Sequence, residues 1–202
     1  MTTNMQHESS GTLDRREVVK AILDRRGEAL VVSGLGSSSY DCGVYDDPRT
    51  FYLWGAMGGA AMIGLGLALA QPKRRVLVIT GDGEMLMGLG SLATIGAEKL
   101  SNLAIVVLDN ELYSETGMQP THTARGVSLS GVAQAAGFPV SEAVHTQPEL
   151  ERSLASIYES RGPVFVNVKV SGKRYPLSIR LRDGAHIKNR FREHLLGQKA
   201  FD

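Results

Sequence analysis

The chain alternates short unbroken apolar runs with longer stretches of helical period. Ala29-Leu30-Val31-Val32, Val76-Leu77-Val78-Ile79-Thr80, Ala104-Ile105-Val106-Val107-Leu108 and Val164-Phe165-Val166-Asn167-Val168 have strand length and little polar alternation. Strands covered on both faces read this way. Leu13 to Arg26 places Val18, Val19, Ile22 and Leu23 on one face before Gly27, and Gln147 to Ser160 does the same with Leu150, Leu154 and Ile157. Both spacings predict amphipathic helices. Further helices are predicted over Ala60 to Ala70, which is rich in small residues, Leu86 to Glu98 and Ser128 to Ala136. The order predicts an α/β fold, a three-layer doubly wound parallel sheet. Tyr40 to Thr50 reads as an irregular polar loop, and Pro72 to Arg75 as a solvated turn.

Polar residues interrupt this pattern where strands end. Gly81-Asp82-Gly83 follows one apolar run and Asp109-Asn110 follows the next. In an open parallel sheet both pairs lie on the edge where ligands bind. An acid and an amide there supply hard oxygen ligands to a cation, while glycines admit a phosphate. The pattern reads as a site for a magnesium-bridged diphosphate. Ser33-Gly34-Leu35-Gly36-Ser37-Ser38-Ser39 follows the first strand and suits either diphosphate contact or a plain flexible loop. The polar segment Glu111 to Thr123 starts at the same place. Ser114 is a candidate diphosphate contact there. Gln119, Thr121 and His122 are candidates for the substrate side, His122 either as a proton carrier or as an exposed loop histidine.

Composition narrows the classes. With 202 residues, 43% of them hydrophobic, and net charge +1, the chain suits one domain with a full core and offers no electrostatic reason for a nucleic-acid or membrane partner. A single cysteine, Cys42, excludes an internal disulfide or a cysteine-held iron–sulfur cluster. The N-terminus lacks the apolar stretch of a signal peptide, and Ala56 to Ala70 is too short and glycine-rich to span a bilayer, so a cytoplasmic location is expected. A dinucleotide-binding domain is excluded because Ser33 to Ser38 contains only Gly34 and Gly36. Residues 1–11 are expected to be a flexible tail. Residues 12–170 are expected to form the domain, and 171–202 a basic C-terminal arm. Its Ile187, Phe191 and Leu195 make an apolar helical stripe suited to packing on a partner. Lys173, Arg174, Arg180, Arg182, Lys188, Arg190 and Arg192 leave an anion-binding patch as the other reading.

The thirty residues 81–110, from Gly-Asp-Gly through a helix to Asp-Asn, resemble the thiamine diphosphate signature. With Gly55-Ala56-Met57-Gly58, Leu92-Ala93-Thr94-Ile95-Gly96 and Thr116-Gly117-Met118-Gln119-Pro120-Thr121, they resemble the diphosphate-binding (PP-type) half of small 2-oxoacid decarboxylases. Within that family the likeness runs to the sulfopyruvate decarboxylase β subunit and the C-terminal half of phosphonopyruvate decarboxylase. The resemblance implies thiamine diphosphate and Mg²⁺ as cofactors, with Asp82, the Asn110 side chain and the Leu112 carbonyl as metal ligands. It implies cofactor contacts from Gly36, Ser37, Ser38, Gly55, Met57, Gly81, Asp82, Gly83, Glu84, Asn110, Leu112, Tyr113 and Ser114. In this set the Gly55 carbonyl meets the aminopyrimidine, and Met57 props the cofactor in its bent form. Asp109 stands where Asn is commoner. The activating glutamate is expected from a separate pyrimidine-domain (PYR) α subunit in an α2β2 assembly or a multiple of it. The implied reaction is decarboxylation of a small anionic 2-oxoacid to an aldehyde. A carboligase subunit and a non-catalytic thiamine diphosphate-binding regulatory subunit are the alternatives.

Overall fold

The apolar runs become the inner strands of a single sheet in the computed structural model, which describes residues 9–178 and 183–200. In chain order the strands are β1 (Leu30–Ser33), β2 (Thr50–Tyr52), β3 (Val76–Gly81), β4 (Leu103–Asp109), β5 (Leu112–Tyr113), β6 (Gln119–Pro120), β7 (Val140–Val144) and β8 (Val164–Lys169). Six of them pair in the order β2-β1-β3-β4-β8-β7, every pairing parallel, while β5 and β6 form a small antiparallel hairpin. The helices are α1 (Arg15–Asp24), α2 (Ser37–Cys42), α3 (Ala60–Ala70), α4 (Asp82–Met87), α5 (Ser91–Glu98), α6 (Leu129–Ala135), α7 (Gln147–Glu159) and α8 (Gly184–Leu196).

Side chains of a strand point alternately to its two faces, and both faces here are covered. Ala104, Val106 and Leu108 of β4 join Val18, Ile22, Leu150 and Leu154 of α1 and α7 on one face. Leu103, Ile105 and Val107 join Ala61, Leu65, Leu92, Ile95 and Leu129 of α3, α5 and α6 on the other. This is the expected three-layer doubly wound sheet, and it explains why the inner strands carry no polar alternation. Asp14 caps α1 by accepting from the N–H groups of Arg16 and Glu17, and Thr146 with Glu149 forms a capping box on α7.

The structure corrects several expectations. The helix expected over Leu86 to Glu98 is two, α4 and α5, separated at Gly88-Leu89-Gly90. Gly88 packs so closely on residue 58 that a Cβ there would lie 2.3 Å from the Gly58 carbonyl oxygen. Half of the expected Gly/Ser loop is α2, and β2 and β7 are edge strands absent from the sequence reading. The C-terminal stripe does not face outward toward a partner. It lies on the sheet's own edge, where Ile187 and Phe191 are buried and the Phe191 ring meets Phe51 at 5.7 Å. Arg190 clamps Asp46 there with two bonds of 2.8 Å. Arg180 and Arg182, like residues 1–8 of the expected tail, lie outside the described residues. Ser9 and Ser10 are tied down, Ser9 Oγ donating to the Val170 carbonyl at 2.8 Å and Ser10 Oγ to Glu111 at 2.7 Å. No helix of the described residues is long and apolar enough to cross a membrane.

Candidate functional site

Parallel register brings the two polar strand ends together. Gly81 of β3 is level with Leu108 of β4, so Asp82 and Asp109 follow side by side at the carboxyl edge of the sheet. A cleft opens there, walled by Leu35, Gly36, Ser37 and Ser38 after β1, residues 81–84 after β3, and Asn110 with residues 112–116 after β4. Met57 and Arg15 complete the wall. Of the residues expected to hold the cofactor, all but Gly55 line this one cleft. Gly55 is exposed beside it, in a turn where Ala56 has φ +55°. Glu111 and Met118, at φ +66° and +62°, are also in the left-handed region. Backbone strain of this kind is typical of functional sites.

The Asp82 end is buried and tightly wired. Asp82 is 2% exposed, and its Oδ2 accepts the Thr121 hydroxyl at 2.6 Å. Thr121 and Thr123 hydroxyls are 2.8 Å apart, and Thr123 Oγ1 lies 2.8 Å from Asp109 Oδ1. Three contacts thus join two carboxyl groups through two hydroxyls, which own only two protons between them. The line closes fully when one carboxyl is protonated. Burial, and secondarily the charge of Asp109, push the Asp82 pKa up to about 7. On its far side Asp109 accepts from Asn167 at 2.9 Å and pairs with Lys169 at 2.8 Å. Lys169 also bonds Glu111 at 2.7 Å. Burial pulls the Lys169 pKa down, but hydrogen bonds to the two carboxylates outweigh it and leave it above its ordinary value.

Asn110 turns its oxygen to the Leu112 N–H at 3.0 Å and donates its amide to Ser114 Oγ at 3.0 Å. The three expected metal ligands therefore come from two adjacent strand ends. The Asn110 oxygen keeps a second lone pair for a cation. Among the described residues no group of three His, Cys, Asp or Glu could cage a metal alone. Magnesium does not need one, since it is commonly held by one or two side chains plus ligand phosphates and water. The donor set fits Mg²⁺ on a diphosphate.

Glu84 lines the cleft but spends its carboxylate on the protein. Oε2 accepts the Thr80 hydroxyl at 2.7 Å and the Leu35 N–H at 2.8 Å. Burial raises its pKa. The hydroxyl of Thr80 and the N–H groups of Leu35, Ala60 and Gly58 oppose that rise. Glu84 thereby ties the loop after β1 to the turn after β3. Gly34 must lack a side chain because a Cβ there would meet Glu84 at 2.0 Å, and Gly83 because a Cβ would lie 2.6 Å from the Tyr113 ring. His122 is exposed at the start of a 3-10 turn and does not line the cleft, so the proton-carrier reading loses its geometry. Gln119 is exposed and bonded to Thr116, and Thr121 is buried against Asp82 rather than facing a substrate. Sequence reading missed Arg15, Thr123, Asn167 and Lys169. Only Lys169, directly after a strand, stood in a position that could have signalled it.

Residues 35–168 match the model of the thiamine pyrophosphate enzyme C-terminal TPP binding domain. The sulfopyruvate decarboxylase β subunit of Methanothermobacter thermautotrophicus is 39% identical over 186 residues, covering 92% of this chain and 97% of that protein. Phosphonopyruvate decarboxylase of Streptomyces viridochromogenes is 43% identical over 71% of this chain, which spans only 36% of it. A solved Mycobacterium smegmatis chain described as a thiamin diphosphate-dependent enzyme superposes with a TM-score of 0.69 at 22% identity, over 84% of this chain and 34% of its own, and so shares the fold. The chain therefore belongs to the family of thiamine pyrophosphate enzyme C-terminal TPP binding domains.

Proposed function

We propose that this chain is the cofactor-binding β subunit of a thiamine diphosphate- and Mg²⁺-dependent decarboxylase acting on a small anionic 2-oxoacid of the sulfopyruvate or phosphonopyruvate kind. The convergence of Asp82, Asn110 and the Leu112 backbone on one serine-lined cleft carries the reading. Asp82, the Asn110 oxygen and the Leu112 carbonyl would hold Mg²⁺. Gly36, Ser37, Ser38 and Ser114 would hold the diphosphate. When bound, thiamine diphosphate supplies the electron sink for loss of CO₂. Met57, 39% exposed and lining the cleft, would support the cofactor. The two buried carboxylates of the cleft are not free to act as the pyrimidine-activating glutamate: Asp82 is committed to Thr121, and Glu84 to Thr80 and Leu35.

That glutamate would come from a separate pyrimidine-domain subunit. Two observations support such a partner. The chain spans nearly the whole of a protein named as a β subunit but little over a third of phosphonopyruvate decarboxylase. In addition, Met62 and Leu69 of α3 and Met87 at the end of α4 are 43%, 53% and 67% exposed, and α3 is apolar all round. Exposed apolar groups of this density fit an interface.

Calorimetric titration of thiamine diphosphate with Mg²⁺ into this chain alone, and into its complex with the neighbouring-gene product, tests the proposal. Tight binding by the complex alone, with release of CO₂ from sulfopyruvate or phosphonopyruvate, is expected. Tight binding by the lone chain with no turnover in the complex would favour the regulatory alternative.

A further inference from the structure

We propose that Arg15 is an anion-recognition residue of this site, placed to contact a tetrahedral oxyanion beside Ser37 and Ser114, where the cleft meets an adjoining one. The inference rests on the cofactor reading above, and it commits to the terminal phosphate of the diphosphate as that oxyanion.

Arg15 opens α1, far in sequence from the Gly-Asp-Gly turn, yet it lines the cleft together with Ser37 and Ser114. It is the sole basic side chain among the described residues that do so. It also lines a second, adjoining cleft that shares Ser37, Ser114 and Glu115 with the first and continues along Tyr40, Asp41 and residues 172–177. Its own partner is Asp41, which is fully buried and accepts from Arg15 Nε. The other oxygen of Asp41 accepts from Arg16 Nε at 3.1 Å. One carboxylate thus serves two guanidinium groups and neutralises one of them. A net positive charge remains on the Arg15–Asp41–Arg16 cluster.

The surroundings fix this charge in place. The Tyr175 ring lies 5.7 Å from the Arg15 guanidinium and 4.3 Å from that of Arg16. Tyr175 is itself held by the Asp14 carboxylate, which also pairs with Lys173 at 3.1 Å. Arg16 donates to the Pro176 carbonyl at 2.6 Å, and Ser171 N–H to the Leu13 carbonyl at 2.9 Å. The segment after β8 is therefore strapped across the start of α1. With Nε committed to Asp41, the planar guanidinium retains its terminal N–H donors, in the fork geometry that suits phosphate oxygens. Ser114 Oγ accepts from the Asn110 amide, keeps its own hydroxyl proton for the same anion and so links this part of the cleft to Asn110. The charge that opposes the anion is Glu115, exposed on the facing wall near Gly36.

The test titrates Mg²⁺–thiamine diphosphate, Mg²⁺–pyrophosphate and thiamine into wild-type and Arg15→Gln protein in complex with its partner. Arg15→Gln strands the buried Asp41 carboxylate, so the double variant Arg15→Gln/Asp41→Asn runs beside it and carries the result if the single variant is unfolded by circular dichroism. At least tenfold weaker binding of both diphosphate ligands, with thiamine unaffected and the substrate KM unchanged at saturating cofactor, is expected. Wild-type affinity for both diphosphate ligands in a folded variant overturns the proposal. A raised substrate KM with unchanged diphosphate affinity overturns it in favour of the acidic tail of the substrate as the anion. An Asp82→Ala control separates this from failure of the underlying reading. If wild type fails to bind Mg²⁺–thiamine diphosphate, or if Asp82→Ala binds normally, the cofactor assignment is at fault rather than Arg15.

Discussion

The two ends of the cleft are built to different standards. Around Asp82 nearly every polar atom is spoken for, through Thr121, Thr123, Asp109, Asn167 and Lys169, and the group sits on strand ends paired in register. Around Gly55 and Met57 the chain is a strained turn, exposed to solvent and flanked by bare methionines. Preorganised ligands need a rigid supporting shell, and the first region has it. The second has the form of a half-site, complete only when something else covers it.

The largest effect should come from the wired end. Asp82→Ala is expected to weaken Mg²⁺-dependent cofactor binding by at least a hundredfold, and wild-type affinity in calorimetry would dissolve the distinction between the two ends. Next is pH. The Asp82 pKa of about 7 lies above its unfolded value near 3.8, so below pH 7 the cation must displace a proton. The Mg²⁺ affinity should then fall about tenfold for each pH unit below 7, and a flat profile in Asp82→Asn would identify the group. The sign for stability follows from the same numbers. Between pH 4 and 7 the folded chain binds more protons than the unfolded one, so without cation this group's contribution falls as pH rises. Asp82→Asn should consequently raise the Tm of the metal-free chain at pH 8 and change it much less at pH 4.

At the half-site, Met57→Ala should lower kcat on the order of tenfold while changing the cofactor Kd less than threefold, because more than a third of Met57 is left uncovered by this chain. Equal losses in both would mean the turn is as preorganised as the Asp82 end. A smaller effect should follow at the hinge between the regions. Glu84→Ala strands the Leu35 N–H and Thr80 hydroxyl, at a cost of about 1–3 kcal/mol each in denaturant titration. Cofactor affinity should weaken along with it, since Leu35 borders Gly36 and Ser37.

The same contrast decided what the sequence disclosed. Val76–Ile79 and Ala104–Leu108 announce buried strands by composition, and Asp82 and Asn110 stand where those strands end. Their chemistry was therefore readable as a site. The Thr121–Asp82 bond joins residues 39 apart through a hairpin whose two-residue strands have no period to detect. Arg15 looked like one more charge on an amphipathic helix, because only the fold brings the start of α1 beside Ser37. Edge strands β2 and β7 escaped notice for a different reason: three residues are too few to show alternation, and Ser141 and Glu142 dilute the apolar signal of the other.

One consequence of α8 concerns what the sheet does not do. An open parallel sheet ends in strands with unpaired backbone groups, an invitation to add strands from another molecule. Helix α8 lies against β2, placing Ile187 in the core of one face and Phe191 in that of the other. At the opposite edge β7 is interrupted by Ser141 and Glu142, whose side chains bond Ser130 and Ser156. With one margin shielded and the other made polar, the sheet is guarded against edge-to-edge aggregation, and any subunit that joins it is steered toward side-chain contacts on the helical layers.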